Sequence, residues 1–202
     1  MNSVESRLEH SEDQAQIKKR QLIRLITAYG LKRLPAPGRE LSSGILSRDF
    51  VDLGLAFSKW QNLELASNLL LNQVTEQFGN QWSAVGGPAF GADPIAIAMA
   101  SLTNKNWFSI HSDSLKNKNF NKTIKGTSLD EDSRVLVVED VITTGNSVLR
   151  AVDSILKTKA TIIGVVAVVN RGQRTAEKMA DCGLPYFSLI DYCDLNIKPI
   201  TL

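Results

Sequence analysis

Residues 134–147, Arg-Val-Leu-Val-Val-Glu-Asp-Val-Ile-Thr-Thr-Gly-Asn-Ser, restrict the fold more than any other stretch of the chain. Val135 to Val138 is a continuous apolar run too short for a helix, and it suits a central parallel strand buried on both faces. Glu139 and Asp140 put two carboxylates where that strand is expected to end. Val141 and Ile142 lead into Thr143-Thr144-Gly145, two hydroxyls on a flexible backbone. Asn146-Ser147 then opens a segment with helical spacing at Val148, Val152, Ile155 and Leu156. In open α/β sheets the ligand crevice lies at the carboxyl ends of the strands. Successive amides in a tight turn, with a helix N-terminus behind them, form an anion site.

Such a turn holds a phosphate through backbone N–H groups and the threonine hydroxyls. The neighbouring carboxylates suit a different task, accepting hydrogen bonds from sugar hydroxyls or holding a hydrated Mg2+. No Gly-Lys-Ser/Thr follows, and no dinucleotide glycine fingerprint is present. The combination points to a phosphorylated sugar rather than a nucleotide triphosphate. A buried strand with an acidic helix cap accounts for the acid pair alone, but not for the whole run.

Elsewhere, strands alternate with helices. A helical stripe over 14–29 (Ile17, Leu22, Leu25, Ile26, Tyr29) stops at Gly30. Lys59 to Phe78 is amphipathic, with Trp60, Leu63, Leu70 and Val74 near one face and Leu65 and Leu69 widening it. Trp82 to Val85 is expected as the first core strand, followed by a Gly86-Gly87-Pro88 turn in which backbone approaches a ligand closely. Asp93 reads as the cap of a helix with Pro94 at its first position. Trp107–Ile110, Thr161–Val169 and Tyr186–Ile190 read as strands, Arg174–Cys182 as a short helix, and Asp49–Leu55 as a short extended stretch. The alternation gives an α/β fold, a parallel sheet flanked by helices with right-handed crossovers.

The chain of 202 residues fits one domain, and its length needs no disulfide or metal staple. A net charge of +2 implies no general attraction to nucleic acid or to acidic membranes. The only cysteines, Cys182 and Cys193, lack metal-ligand spacing, and His10 and His111 are too few for a zinc site. With no signal-peptide core and no membrane-spanning run, a cytoplasmic protein is expected.

The 134–147 segment resembles the 5-phosphoribosyl 1-pyrophosphate (PRPP) motif of the type I phosphoribosyltransferases. Leu41-Ser42-Ser43-Gly44 with Phe50-Val51-Asp52-Leu53, and Val85-Gly86-Gly87-Pro88-Ala89-Phe90-Gly91-Ala92-Asp93-Pro94, are similar to the N-terminal and pyrophosphate-side segments of the orotate branch. Val168-Val169-Asn170-Arg171 falls where that branch carries an arginine facing orotate. The resemblance runs over about residues 20–192.

It implies transfer of the phosphoribosyl group from PRPP to orotate, giving orotidine 5'-monophosphate and pyrophosphate in pyrimidine biosynthesis. Glu139 and Asp140 would meet the ribose hydroxyls, Thr143, Thr144, Gly145, Asn146 and Ser147 would hold the 5-phosphate, and Val141 and Ile142 between them belong to the PRPP-binding run. Gly87 would lie beside the pyrophosphate, and Phe50, Val51, Thr143 and Arg171 would surround the orotate. Mg2+ is the implied cofactor, with no ligand supplied directly by the protein. A homodimer is implied as well.

Within the single domain, residues 1–13 are expected to be a flexible arm or the start of a helix. Residues 14–55 form an N-terminal hood, and 111–133 a mobile loop. That loop departs from the family. Its start is His111-Ser112-Asp113, where the family has an Arg-Lys pair, and Lys116-Asn117-Lys118-Asn119 replaces Lys-x-His-Gly. Lys116 and Lys118 are the lid's catalytic candidates, with Asp140 as the third. The departure keeps two other readings open, a non-catalytic PRPP-binding regulator and a transferase for another base.

Overall fold

The computed structural model describes residues 2–41, 44–111 and 123–201. Helix α1 (Asn2–Leu25) passes through a π-helical turn, Ile26–Gly30, into four short strands: β1 (Leu31–Arg33), β2 (Arg39–Glu40), β3 (Leu46–Ser47) and β4 (Asp49–Val51). The expected arm of residues 1–13 is thus the opening of α1 from Asn2 onward. β1 pairs antiparallel with β4, and β2 with β3, which makes the hood of two small ribbons. The extended stretch expected to reach Leu55 ends at Val51. There the Asp52 side chain accepts a hydrogen bond from the Gly54 N–H and starts α2 (Leu53–Ala56).

After α3 (Trp60–Phe78) come β5 (Ala84–Pro88), α4 (Asp93–Thr103), β6 (Asn106–Ile110) and β7 (Ile124–Gly126). Next are β8 (Arg134–Ile142), α5 (Asn146–Leu156), β9 (Thr161–Asn170), α6 (Thr175–Asp181) and β10 (Tyr186–Asp191). One six-stranded sheet has the order β10-β9-β8-β5-β6-β7, parallel except at β7. β7 lies inside the segment expected to be loop throughout. Its three residues are too few to display a period, and pairing with Phe108–Ile110 makes it a strand.

β8 lies inside the sheet, and its side chains alternate between two cores. Leu136 and Val138 pack with α3 and α4 residues such as Leu70, Val74 and Ile95, and Val135 and Val137 pack with Val148, Val152 and Ile155 of α5. Burial on both faces explains why the run is apolar without a break. Each such side chain contributes about 1.5–3 kcal/mol relative to an exposed one. Leu156, expected on the inner face of α5, points outward at 55% exposure, and Ala151 fills the inner stripe instead. On α3, Trp60 is likewise half-exposed, and Ala66 and Ser67 are buried with Leu69, Leu70 and Val74.

The chain leaves β5 toward β6 on one side and leaves β8 toward β9 on the other. The strand order therefore reverses between β5 and β8, and a crevice opens at their carboxyl ends.

Candidate functional site

β5 and β8 stay paired only as far as Gly86 opposite Val137, whereas β8 and β9 stay paired to Ile142 opposite Asn170. Beyond that point the ladder between β5 and β8 ends. β8 outruns its expected end, so Glu139, Asp140, Val141 and Ile142 are all strand residues supported by β9 on one side and facing the crevice on the other. Gly87 and Gly91 bring the opposite wall close. A Cβ at Gly87 would come within 1.8 Å of the Val138 carbonyl oxygen, and one at Gly91 within 2.5 Å of Asp140 Oδ1. Backbone blocks any side chain at Gly87, and one at Gly91 would displace the Asp140 carboxylate, which packs directly on the backbone of the 87–91 loop.

Glu139 is 6% exposed. Burial holds its carboxyl well above the ordinary carboxylate range, and the charge of Asp140 and a side-chain hydrogen bond with it add to the effect. Asp93 raises it further from the start of α4. Asp93 is not the cap that the sequence suggested: Ala92 occupies the N-cap position, and Asp93 is the first helical residue. Its Oδ1 is buried without a hydrogen-bond partner among the described residues. Three carboxylates thus crowd one rim of the crevice, a costly arrangement without a ligand that donates hydrogen bonds or brings positive charge.

Behind the acids, Thr143 and Thr144 are half-buried, and Gly145 turns through φ +76° to start α5. The Asn146 N–H donates to Thr144 Oγ1 at 3.4 Å, and Arg150 Nη2 donates to Ser147 Oγ at 3.2 Å. Lys178 of α6 reaches the same turn, with Nζ 2.9 Å from the Thr144 carbonyl and 2.7 Å from Asn146 Oδ1. A cavity of about 420 Å3 adjoins the turn, lined by Pro88, Ala89, His111, Thr123, Ser147 and Arg150 among others. Phe90 lies at its mouth, 70% exposed, with its ring edge-on to His111 at 5.5 Å.

Arg171 follows β9 and is 1% exposed. Its Nη2 donates to Ser47 Oγ at 3.1 Å and to the Asp49 carbonyl at 2.8 Å, which pins the hood against the end of the sheet. Burial lowers the guanidinium pKa, and the Asp49 carboxylate opposes that shift. Nε is buried without a partner among the described residues. Next to this anchor, the ring of Phe50 on β4 is faced by the Arg39 guanidinium at 4.6 Å and the Lys32 ammonium at 6.0 Å. Val51 is buried in the core.

The crevice therefore gathers Gly87, Glu139, Asp140 and the 143–147 turn, with Arg171 and Phe50 joined at the hood. Lys116 and Lys118 lie outside the described residues, as do Ser42 and Ser43. Sequence reasoning missed Asp93 as a site residue, and also Arg39, Arg150 and Lys178. Only Asp93 left a signal, because it sits inside the glycine-rich loop sequence.

A family model described as the phosphoribosyl transferase domain matches residues 55–185. The orotate phosphoribosyltransferase of Aquifex aeolicus is 34% identical over 186 residues, covering 89% of this chain and 98% of the relative. The chain belongs to the orotate phosphoribosyltransferase family. A second member of that family, from Corynebacterium glutamicum, is 34% identical over 162 residues, covering 78% of this chain and 84% of the relative. Among solved structures, the Mycobacterium tuberculosis orotate phosphoribosyltransferase in complex with PRPP superimposes with a TM-score of 0.71 at 31% identity. The match covers 89% of this chain and 99% of that one. Orotate phosphoribosyltransferases thus share with this chain both the sheet and the order of segments around it.

Proposed function

We propose that this chain transfers the 5-phosphoribosyl group of PRPP to orotate, forming orotidine 5'-monophosphate and pyrophosphate for pyrimidine synthesis. The observation that carries the reading is the Asp140 carboxylate, packed on the Gly91 backbone beyond the end of the β5–β8 ladder with the hydroxyl-bearing turn directly behind it. In this arrangement Glu139 and Asp140 accept hydrogen bonds from the two ribose hydroxyls. Those donors relieve the crowding that raises the Glu139 pKa. The N–H groups and hydroxyls of Thr143 to Ser147 take the 5-phosphate. The 87–91 loop lies along the pyrophosphate.

Orotate then stacks against Phe50, beside the junction that the buried Arg171 guanidinium holds through Nη2. Its ring nitrogen gives up its proton to solvent and bonds to the anomeric carbon as the bond from that carbon to the pyrophosphate oxygen breaks. Positive charge builds on the ribose in the transition state, and the protein's contribution is to hold the reactants in line. Lys116 and Lys118 are assigned to the leaving group's charge.

Mg2+ fits the rim chemically, because Asp140 and the orphaned Asp93 oxygen offer hard oxygen donors to a hydrated ion. In this reading the ion would arrive on the pyrophosphate, with these oxygens beside it. There it would neutralise part of the leaving group's charge. The reading includes a homodimer, testable by light scattering, and a cytoplasmic location. Among the described residues no helix is long and apolar enough to cross a membrane, and both cysteines are free.

The test is loss of orotate absorbance with PRPP and Mg2+ present, and appearance of the nucleotide. The altered lid sequence at Lys116-Asn117-Lys118-Asn119 favours one alternative, a PRPP-binding regulator. Tight PRPP binding with no turnover of orotate would select it. Turnover of another base alone would reassign the substrate.

A further inference from the structure

We propose that Lys178 is a positioning residue for the phosphate turn, and that its ammonium sets the direction of the turn's N–H donors and adds positive charge behind them. This rests on the reading of residues 143–147 as the 5-phosphate cradle. Lys178 comes from α6, 34 residues beyond Thr144, and donates both to the Thr144 carbonyl and to Asn146 Oδ1. A trans peptide group is planar, and its C=O and N–H point opposite ways. Fixing the Thr144 carbonyl on Lys178 therefore turns the N–H of Gly145 to the far side, away from α6.

The preceding peptide is held in the same sense. The Thr143 carbonyl lies so close to Gly172 that a Cβ there would come within 2.0 Å of it, which directs the Thr144 N–H away from that wall. Taking up the Asn146 carboxamide oxygen removes a third negative dipole end and leaves only its N–H2 free to face an anion. Arg174, the other cation at the start of α6, is held by Glu177 at 2.8 Å, and Arg150 of α5 bonds Ser147 at the far end of the turn, so Lys178 is the cation that α6 brings to residues 144–146. Met179 buttresses the same bend, its Cε only 2.7 Å from where a Cβ at Gly145 would lie. The lysine acts through the turn, so it governs capture of the phosphorylated sugar rather than the transfer step.

The experiment compares Lys178→Met, Lys178→Gln and Lys178→Arg in the full chain, by steady-state kinetics and by calorimetric titration with PRPP without orotate. The methionine variant is expected to raise the PRPP KM and Kd about tenfold with kcat within about twofold, the pattern of lost ground-state binding. Arginine, which keeps the charge and the donors, is expected to return both constants to within about twofold of the parent. Glutamine should fall between them. If methionine disturbs folding, seen as a lowered Tm, the glutamine and arginine pair decides.

Unchanged PRPP constants in the neutral variants would overturn the proposal, as would equal damage from arginine and methionine, or a fall in kcat alone. A parent protein that binds neither PRPP nor ribose 5-phosphate would overturn the phosphate-cradle reading, and the lysine's role with it. Binding by the parent, with neutral variants unaffected, would sink the lysine's role only.

Discussion

The two ends of the crevice are built in opposite ways. The end proposed for the phosphate is one contiguous bend between β8 and α5, and most of its chemistry is backbone. The base end exists only after folding, because Arg171 reaches Ser47 across 124 residues to fix the hood. A local bend keeps its course as long as β8 and α5 form, with Lys178 of α6 setting the direction of its donors. A junction of distant segments leans on one buried guanidinium, and its loss unties the hood from the sheet. The two ends should therefore fail differently.

The largest effect is expected from Arg171→Met. It strips the charged donor from Ser47 Oγ and the Asp49 carbonyl, which keep only their bond to each other, and hydrogen bonds from a charged group are worth about 1.5–3 kcal/mol. At about 2–4 °C per kcal/mol for a chain of this size, calorimetry should record a Tm lower by roughly 5–10 °C. The KM for orotate should rise more than that for PRPP. A Tm within a degree of the parent would erase the contrast between the two ends.

Gly91→Ala is the corresponding blow to the phosphate side. Its Cβ would meet Asp140 Oδ1 at 2.5 Å, so the carboxylate must move. The PRPP kcat/KM should fall by about a hundredfold, in line with the cost of misplacing a reacting group by an ångström, while the Tm shifts little. A variant with parental kinetics would show that Asp140 is not held by this wall.

Asp140→Asn should be milder, lowering PRPP kcat/KM by about tenfold through one weakened charge-assisted hydrogen bond. Unfolding by urea should keep the parental midpoint. Unaltered kinetics would remove Asp140 from the sugar's contacts.

Glu139→Gln sharpens the comparison through stability instead. The folded carboxyl is held above its ordinary value of 4.5, so over that interval the folded state binds more protons than the unfolded state. Stability present below the unfolded pKa is then lost as pH rises toward the folded one. Glutamine carries no such burden. Its Tm should exceed the parent's at neutral pH, and the gap should close as pH falls toward 4.5. PRPP use should weaken at the same time. A gap that stays constant with pH would assign the difference to packing.

What could be read from the sequence follows the same division. The apolar run at Val135–Val138 reported a strand buried on both faces, and the spacing of Val148, Val152 and Ile155 reported α5, because both signals are local. The extension of β8 to Ile142 was hidden, since carboxylates on a strand tip look like a strand's end until β9 is known to continue beside them. The hood strands, of two or three residues each, are too short to carry a period. Asp93-Pro94 has the form of a helix cap, and only the fold reveals an unpaired carboxylate oxygen on the rim. Arg171 announced nothing of its burial, because its partners lie on another ribbon. Lys178 reads as one more exposed helical lysine until α6 is docked against the bend.

Ile200 forms a short bridge with Gly172, its N–H donating to the Arg171 carbonyl at 2.7 Å and its carbonyl accepting from Gln173 at 3.1 Å. Residues 171–173 are thereby strapped by the segment around Ile200. A substitution that breaks this bridge, such as Ile200→Pro, would loosen the segment that carries the buried guanidinium. Such a variant would then show altered base selectivity while its grip on the sugar phosphate stayed intact.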